Sequence, residues 1–145
     1  MNEPEQLMVL IIDDDQDVRE RLSSILKRRG YSVLVARNGI EGLEVVNSNP
    51  IDVIFCDIVM PQMDGLQFLK KLHEYTLRAE VIMVTGMPSV EWLAESIDGN
   101  AAEFLAKPLS IDDVLNSLNR AKKRLEEKKA IFNTALARMN LNHIL

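Results

Sequence analysis

The sequence is poor in cysteine: Cys56 is the single one among 145 residues. A single cysteine excludes an internal disulfide and a cysteine-based zinc cluster. No window approaches the roughly 18 consecutive apolar residues that a membrane-spanning helix needs. The first residues also lack the basic segment and the long apolar stretch of a signal peptide. We therefore expect a cytoplasmic protein with no membrane partner.

An excess of positive charge is also absent. The chain has 17 basic and 22 acidic residues, which give a net charge of −5, so direct nucleic-acid binding is not expected. Its hydrophobic fraction of 47% and charged fraction of 27% are typical of soluble globular proteins. The length fits one domain that buries its own core.

Five short apolar runs alternate with segments whose apolar residues recur at helical spacing. The runs cover residues 8–12, 31–36, 51–56, 81–84 and 103–106, and the pattern from residue 111 to the chain end is helical. The first, third and fourth runs are apolar almost throughout, which is typical of parallel strands covered on both faces. The alternation predicts an α/β fold: a doubly wound, five-stranded parallel sheet with an extended C-terminal helix.

Polar residues follow four of these runs at the point where each strand ends. Asp13 and Asp14 follow the first run, Asp57 the third, Thr85 the fourth and Lys107 the fifth. The carboxyl ends of parallel strands face one crevice, where ligands bind. Three carboxylates, one hydroxyl and one ammonium group are therefore predicted at the same edge of the sheet.

Such a set of side chains suits phosphoryl transfer to a carboxylate. Three neighbouring carboxylates repel one another unless a cation is present, and Mg²⁺, with Mn²⁺ as a substitute, prefers oxygen ligands. Phosphoryl transfer depends mainly on positioning and on neutralising charge. Lys107 and the metal would neutralise the phosphoryl oxygens, and the Thr85 hydroxyl would donate a hydrogen bond to one of them. The predicted product is an aspartyl phosphate.

Four motifs in this order resemble the receiver domain of bacterial two-component response regulators. They are IIDDDQDVRE at 11–20, CDIVMPQMDG at 56–65, VTG at 84–86 and FLAKP at 104–108. The resemblance covers roughly residues 7–121. It implies a flavodoxin-like sheet with strand order 2-1-3-4-5.

The resemblance also implies a role for each residue of the acidic site. Asp57 would accept the phosphoryl group. Asp14 would bind Mg²⁺ directly and Asp13 mainly through water, with the main-chain carbonyl of Val59 as a further ligand. The phosphoryl donor would be a sensor histidine kinase or a phosphotransfer protein.

Two further residues would carry the switch. Thr85 would follow the phosphoryl group, and Phe104 occupies the aromatic switch position of the family. The surface around Phe104 would change conformation and serve as one contact for a homodimer. Asn100 stands where the family usually has glycine, and we expect only a local adjustment there. Val59 and Met87 flank the site, and we expect these apolar side chains to shield the phosphoryl group from water.

Residues 122–145 are predicted to form a C-terminal helical extension. Apolar residues recur every seven positions at 111, 118, 125, 132 and 139, and Leu115 and Leu136 add part of a second seam. Lys122 and Lys129 occupy the remaining positions of that seam. A coiled coil, a linker and a helix that packs on its own domain all remain open, and the first would provide a second route to a homodimer.

Two other functions compete with the phosphorylation switch. A phosphorylation-independent dimerisation or scaffold module would not need the intact acid set. A haloacid dehalogenase-type phosphatase also uses a strand-end aspartate, and Asp13 and Asp15 form an Asp-x-Asp. That family's motif continues with Thr or Val where Asp17 stands here, and the chain has no room for a cap. We therefore expect no enzyme activity beyond the protein's own phosphorylation and dephosphorylation.

Overall fold

The apolar runs form the predicted five-stranded parallel sheet in a computed structural model that describes residues 6–76, 78–87 and 89–144. The strands are β1 (Met8–Ile12), β2 (Ser32–Ala36), β3 (Val53–Asp57), β4 (Glu80–Thr85) and β5 (Glu103–Ala106). The helices are α1 (Gln16–Arg28), α2 (Gly39–Ser48), α3 (Gly65–Leu72), α4 (Val90–Asp98) and α5 (Ile111–Ile144). The strand order is β2-β1-β3-β4-β5, so the predicted order 2-1-3-4-5 and the flavodoxin-like fold are confirmed.

The sheet is covered on both faces, as its apolar strands require. Alternate residues of a strand point to opposite faces, and those of β1 enter two separate buried clusters. Val9 and Ile11 pack with residues of α1 and α5, whereas Leu10 and Ile12 pack with residues of α2 and α3. The central strands are thereby removed from water on both sides.

Side-chain caps begin the helices that follow these strands. Asp15, Asn38, Asp64 and Ser89 accept hydrogen bonds from main-chain N–H groups in the first turns of α1, α2, α3 and α4. Each satisfies a donor that a helix start leaves unpaired. Asn38 is therefore the N-cap of α2, and Gly39 is its first residue. Asn100 has a φ of 69°, the left-handed conformation that Asn tolerates better than most residues.

Helix α5 runs as one continuous helix of 34 residues. Its first part packs on the sheet, where Leu118 and Ala121 are fully buried. All residues from 126 to 140 are exposed, so the second part extends beyond the packed domain. In the part of the chain that the structure describes, no helix combines the length and apolar character needed to cross a membrane.

Candidate functional site

The predicted polar residues meet at the carboxyl edge of the sheet. Asp13 and Asp14 follow the last residue of β1, Asp57 is the last residue of β3, and Thr85 is the last residue of β4. Lys107 follows β5 directly. Strands β1, β3, β4 and β5 are neighbours in the sheet, so four strand ends contribute to one crevice.

Three carboxylates form the centre of this crevice. Asp13, Asp14 and Asp57 each offer an oxygen atom, and these oxygens all lie within 4.8 Å of one another. Asp13 and Asp57 are buried, whereas Asp14 is exposed to solvent. Burial raises the pKa of Asp57 above its ordinary value, and the charge on Asp13 raises it further.

Lys107 is the cation that balances part of this charge. Its Nζ donates to Asp13 Oδ2 at 2.8 Å and to Asp57 Oδ2 at 3.2 Å. Burial alone would lower the pKa of Lys107, but the hydrogen bond and charge of Asp13, with those of Asp57, raise it. Lys107 is therefore held in its charged form between two of the three acids.

Two further hydrogen bonds hold Asp13 in place. Arg19 Nη1 donates to the main-chain carbonyl of Asp13 at 2.7 Å, and the Asp15 N–H donates to Asp13 Oδ1 at 2.9 Å. With Lys107 on its other oxygen, Asp13 has both carboxylate oxygens occupied, which fits its expected contact with a metal through water. Arg19 was not among the predicted site residues. It lies four residues after the Asp15 cap, one turn into α1.

The loop after β3 passes close to Asp57. The Val59 N–H donates to Asp57 Oδ1 at 3.3 Å. A Cβ atom added to Gly65 would lie 2.3 Å from the Asp57 carbonyl oxygen, a distance that no packed structure allows. Gly65 therefore lets the first turn of α3 approach the strand end, and the adjacent Asp64 forms the capping box of that helix.

The two predicted switch residues lie at different depths. Thr85 is buried, its Oγ1 accepts from the Met87 N–H at 3.1 Å, and its carbonyl accepts from the Lys107 N–H at 2.8 Å. Phe104 is half-buried against the core cluster on the α2–α3 face, as is Trp92 of α4. Thr85 is thus joined to Lys107 of the acidic site by a main-chain hydrogen bond, whereas Phe104 lies three residues before Lys107 on the neighbouring strand.

The apolar residues predicted to shield the site are largely open to solvent. The side chain of Val59 is 48% exposed and that of Met87 is 64% exposed. Both residues lie on the loops that follow the strands of Asp57 and Thr85. Their shielding role stays a prediction.

The geometry of the acids fits a hard divalent cation. Three carboxylate oxygens from different side chains converge within 4.8 Å, and one of these acids, Asp14, lies open to solvent. Mg²⁺ typically takes one or two carboxylates and keeps water on its other positions. Both oxygens of Asp57 also accept hydrogen bonds, but at 3.2 and 3.3 Å, which is longer than the 2.8 and 2.9 Å contacts of Asp13. Exposed Asp14 and the more weakly held Asp57 are therefore better suited to direct metal binding than Asp13.

The sequence matches a family model described as the response regulator receiver domain over residues 9–119. The transcriptional regulatory protein ZraR of Klebsiella oxytoca is 34% identical over 117 residues, which cover 81% of this chain and 26% of that protein. Response regulator MprA of Mycobacterium ulcerans is 30% identical over 136 residues, or 92% of this chain and 59% of that protein. The chain thus spans between a quarter and three fifths of the length of these curated relatives.

Solved structures of similar fold agree with these matches. A CheY-like receiver domain protein from Methanospirillum hungatei superposes with a TM-score of 0.79 at 30% identity, covering 87% of this chain and 98% of that one. A response regulator from Burkholderia pseudomallei superposes with a TM-score of 0.75 at 26% identity, covering 88% and 75%. The latter was solved with a phosphorylated aspartic acid, a calcium ion and citrate.

Proposed function

The chain belongs to the receiver domain family of two-component response regulators, and we propose that Asp57 is the residue through which phosphorylation controls it. The convergence of three carboxylates and one lysine at four neighbouring strand ends carries this proposal. Family membership alone does not name the acceptor. Asp57 is the acid that ends the buried strand β3, that Lys107 contacts and whose pKa burial raises.

In the proposed reaction, an Asp57 carboxylate oxygen attacks phosphorus. With a phosphohistidine donor the phosphorus–nitrogen bond breaks as the new oxygen–phosphorus bond forms, and the imidazole leaves with a proton from solvent. Lys107 then exchanges its contact with Asp57 for one with a phosphoryl oxygen, which keeps its charge paired. A bound Mg²⁺ would supply further neutralisation of the phosphoryl oxygens.

The metal ligands would come from the three acids at the carboxyl edge of the sheet. We propose that Asp14 and Asp57 bind the ion directly, that Asp13 binds it through water, and that the Val59 carbonyl completes the set. The Burkholderia relative was solved with both a phosphorylated aspartic acid and a calcium ion, which supports the pairing of an aspartyl phosphate with a divalent cation. Mn²⁺ would substitute for Mg²⁺ because it accepts the same oxygen ligands.

The conformational change would begin at Thr85. Its hydroxyl accepts from the Met87 N–H in this structure, and its proton would be donated to a phosphoryl oxygen on Asp57, which would draw the Thr85 side chain toward the site. Moving Thr85 would disturb the start of the loop before α4 and the half-buried Phe104 on the neighbouring strand. Such a switch needs two states close in energy, of which phosphorylation favours one.

The remaining parts of the proposal concern the rest of the chain. Residues 7–121 form the receiver and 122–145 an extension, of which residues 122–144 continue α5 and residue 145 lies outside the described residues. The donor is a sensor histidine kinase or a phosphotransfer protein in the cytoplasm, and the chain has no activity on other substrates. Homodimer contacts through the face around Phe104 or through the extension complete the proposal.

Trp92 provides a direct test of the switch, because it is the only tryptophan and lies half-buried in α4. We expect its emission to change when acetyl phosphate and Mg²⁺ are added together. Asp57→Ala should abolish the change. Thr85→Ala should still gain a phosphoryl group but lose most of the emission change, because it removes the hydroxyl that follows the phosphoryl group.

Thr85→Ser is the matched control, since it keeps the hydroxyl and should retain the response. An emission change that survives in Asp57→Ala would contradict the assignment of the acceptor. Equal responses from Thr85→Ala and wild type would contradict the assignment of the switch.

A further inference from the structure

The second half of α5 carries an apolar stripe that the described part of the chain leaves uncovered. We call Ile131, Phe132, Ala135, Leu136 and Met139 the distal stripe. Its four large side chains are between 44% and 71% exposed. Phe132, Leu136 and Met139 are separated by four and three residues, so they share one face of the helix.

The distal stripe continues the face of α5 that packs on the sheet. Leu118, Leu125, Phe132 and Met139 recur every seven residues. Leu118 is fully buried and Leu125 packs against the same cluster, whereas the two later residues are exposed. Lys128 donates to Glu80 Oε1 at 2.7 Å at the start of β4. The helix therefore leaves the domain just beyond this ion pair with its apolar face still unpaired.

We propose that the distal stripe is the interface of a homodimer in which the distal halves of two α5 helices pack antiparallel. With roughly 200 Å² for a fully exposed large side chain, the stripe holds about 500 Å² of apolar surface per helix. Two such faces would bury about 1,000 Å², the lower limit for a specific interface. The expected complex is a reversible dimer that depends on protein concentration.

The distribution of charge favours the antiparallel arrangement. Residues 120–129 contain six basic and two acidic residues, whereas residues 130–145 contain a single charged residue, Arg138. Parallel helices would bring the two basic segments to about 10 Å from each other. Antiparallel helices crossing between residues 135 and 136 would separate the two copies of Arg124 by about 35 Å along the axis, well beyond the Debye length of about 8 Å.

The same crossing point gives complementary side-chain pairs. Phe132 would face Met139 of the second copy, where thioether–aromatic contacts are favourable. Ala135 would face Leu136 of the second copy, so a small residue meets a large one. Two-fold symmetry would repeat both pairs.

The proposed dimer does not depend on phosphorylation. Glu80, where the helix leaves the domain, begins β4, whereas the acidic site lies at the opposite ends of the strands. Asp57→Ala should dimerise like wild type. Failure of the dimer would therefore remove only the proposed contact through the extension and leave the phosphorylation switch at Asp57 intact, and failure of phosphorylation would leave the dimer intact.

Sedimentation analysis of the full chain over a range of concentrations tests the interface. We expect a monomer–dimer equilibrium in wild type. Leu136→Glu should weaken dimerisation by roughly a hundredfold, because each dimer would bury two unpaired charges. Thr134→Glu is the matched control, since exposed Thr134 lies on the other side of the helix and should leave the equilibrium unchanged. A wild-type protein that stays monomeric, or equal effects of both variants, would overturn the proposal.

Spin labels on Glu126→Cys test the orientation. Cys56 is completely buried, so the label attaches only at position 126. Antiparallel packing separates the two labels by about 28 Å along the axis, whereas parallel packing brings them within about 20 Å. The shorter distance would refute the antiparallel arrangement. Binding of the wild-type stripe to anionic phospholipid vesicles without any dimer would show that a lipid surface is its partner instead.

Discussion

Replacing Asp57 with asparagine is expected to stabilise the metal-free protein and to remove most of the stabilisation that Mg²⁺ provides. At an effective dielectric constant of about 20, two carboxylates within 4.8 Å repel by about 3.5 kcal/mol. Asp57 meets two such neighbours, while Lys107 Nζ at 3.2 Å returns about 5 kcal/mol. These figures leave about 2 kcal/mol of net repulsion. Solvent screens the share of exposed Asp14 and lowers this balance, whereas burial of the Asp57 charge raises it. We therefore expect the variant to gain about 1–2 kcal/mol, or about 2–8 °C in melting temperature.

The stability difference between wild type and Asp57→Asn should also depend on pH. Burial and the Asp13 charge raise the pKa of Asp57 above its ordinary value of 3.8. The folded state therefore holds this proton more tightly than the unfolded chain, and the contribution of Asp57 to stability falls as pH rises from 3.8 through the folded-state pKa. Above the folded-state pKa the wild type has lost the whole of this contribution to its free energy of unfolding. The stability gain of Asp57→Asn over wild type should therefore be larger there than in acid.

Thermal unfolding in EDTA and over a Mg²⁺ titration is the assay. Wild type should gain about 2.7 kcal/mol at a metal concentration one hundred times the dissociation constant, and Asp57→Asn much less. Asp15→Asn is the matched control: it removes a nearby charge outside the acid cluster, and asparagine caps α1 as well as aspartate does. The reasoning is refuted if metal-free Asp57→Asn is less stable than wild type, or if it keeps the full Mg²⁺ gain.

Three further predictions concern the glycine beside Asp57, the ion pairs of Glu80 at the far end of the sheet, and the apolar side chains on the loops of the site. Gly65→Ala should lower stability by about 2–3 kcal/mol and slow phosphorylation, because its Cβ would collide with the Asp57 carbonyl oxygen; urea unfolding and mass spectrometry measure the two effects. Glu80→Gln should cost about 1–3 kcal/mol in urea unfolding, because Glu80 is buried and pairs with two cations of α5. Val59→Asn or Met87→Glu should speed loss of the phosphoryl group, followed by intact mass over time, and unchanged decay would contradict their shielding role.

Each stability prediction has a matched control in the chain. A Cβ added to Gly86 meets only Lys107 Cβ at 3.9 Å, so Gly86→Ala should change stability far less than Gly65→Ala. Glu127 is exposed beside the same ion pairs, and Glu127→Gln should stay within about 0.5 kcal/mol of wild type. Equal losses in a variant and its control would show that the contacts described here do not determine the effect.

The fold and the centre of the site could be predicted from the sequence because both follow from local patterns. Apolar runs of strand length alternate with helical periodicity, and chain connectivity then places the carboxyl ends of parallel strands at one edge. The positions of Asp13, Asp57, Thr85 and Lys107 at strand ends followed directly from the ends of those runs. The residue roles came from the motifs that these positions share with receiver domains.

Other contacts could not be predicted because they join distant parts of the chain. Arg124 and Lys128 lie 44 and 48 residues from Glu80, and no periodicity links them. The approach of Gly65 to the Asp57 carbonyl depends on how α3 packs. The heptad pattern of α5 is the same before and after residue 126, so only the packed domain distinguishes the covered half from the exposed half.

The most direct test of the account is the intact mass of the protein after incubation with acetyl phosphate and Mg²⁺. The account predicts one added phosphoryl group on wild type, and none on Asp57→Ala or on wild type in EDTA. Peptide mapping should locate the group on Asp57. A phosphoryl group that Asp57→Ala still gains, or a wild-type protein that gains none even when sampled at the earliest times, would contradict the assignment of Asp57 as the acceptor.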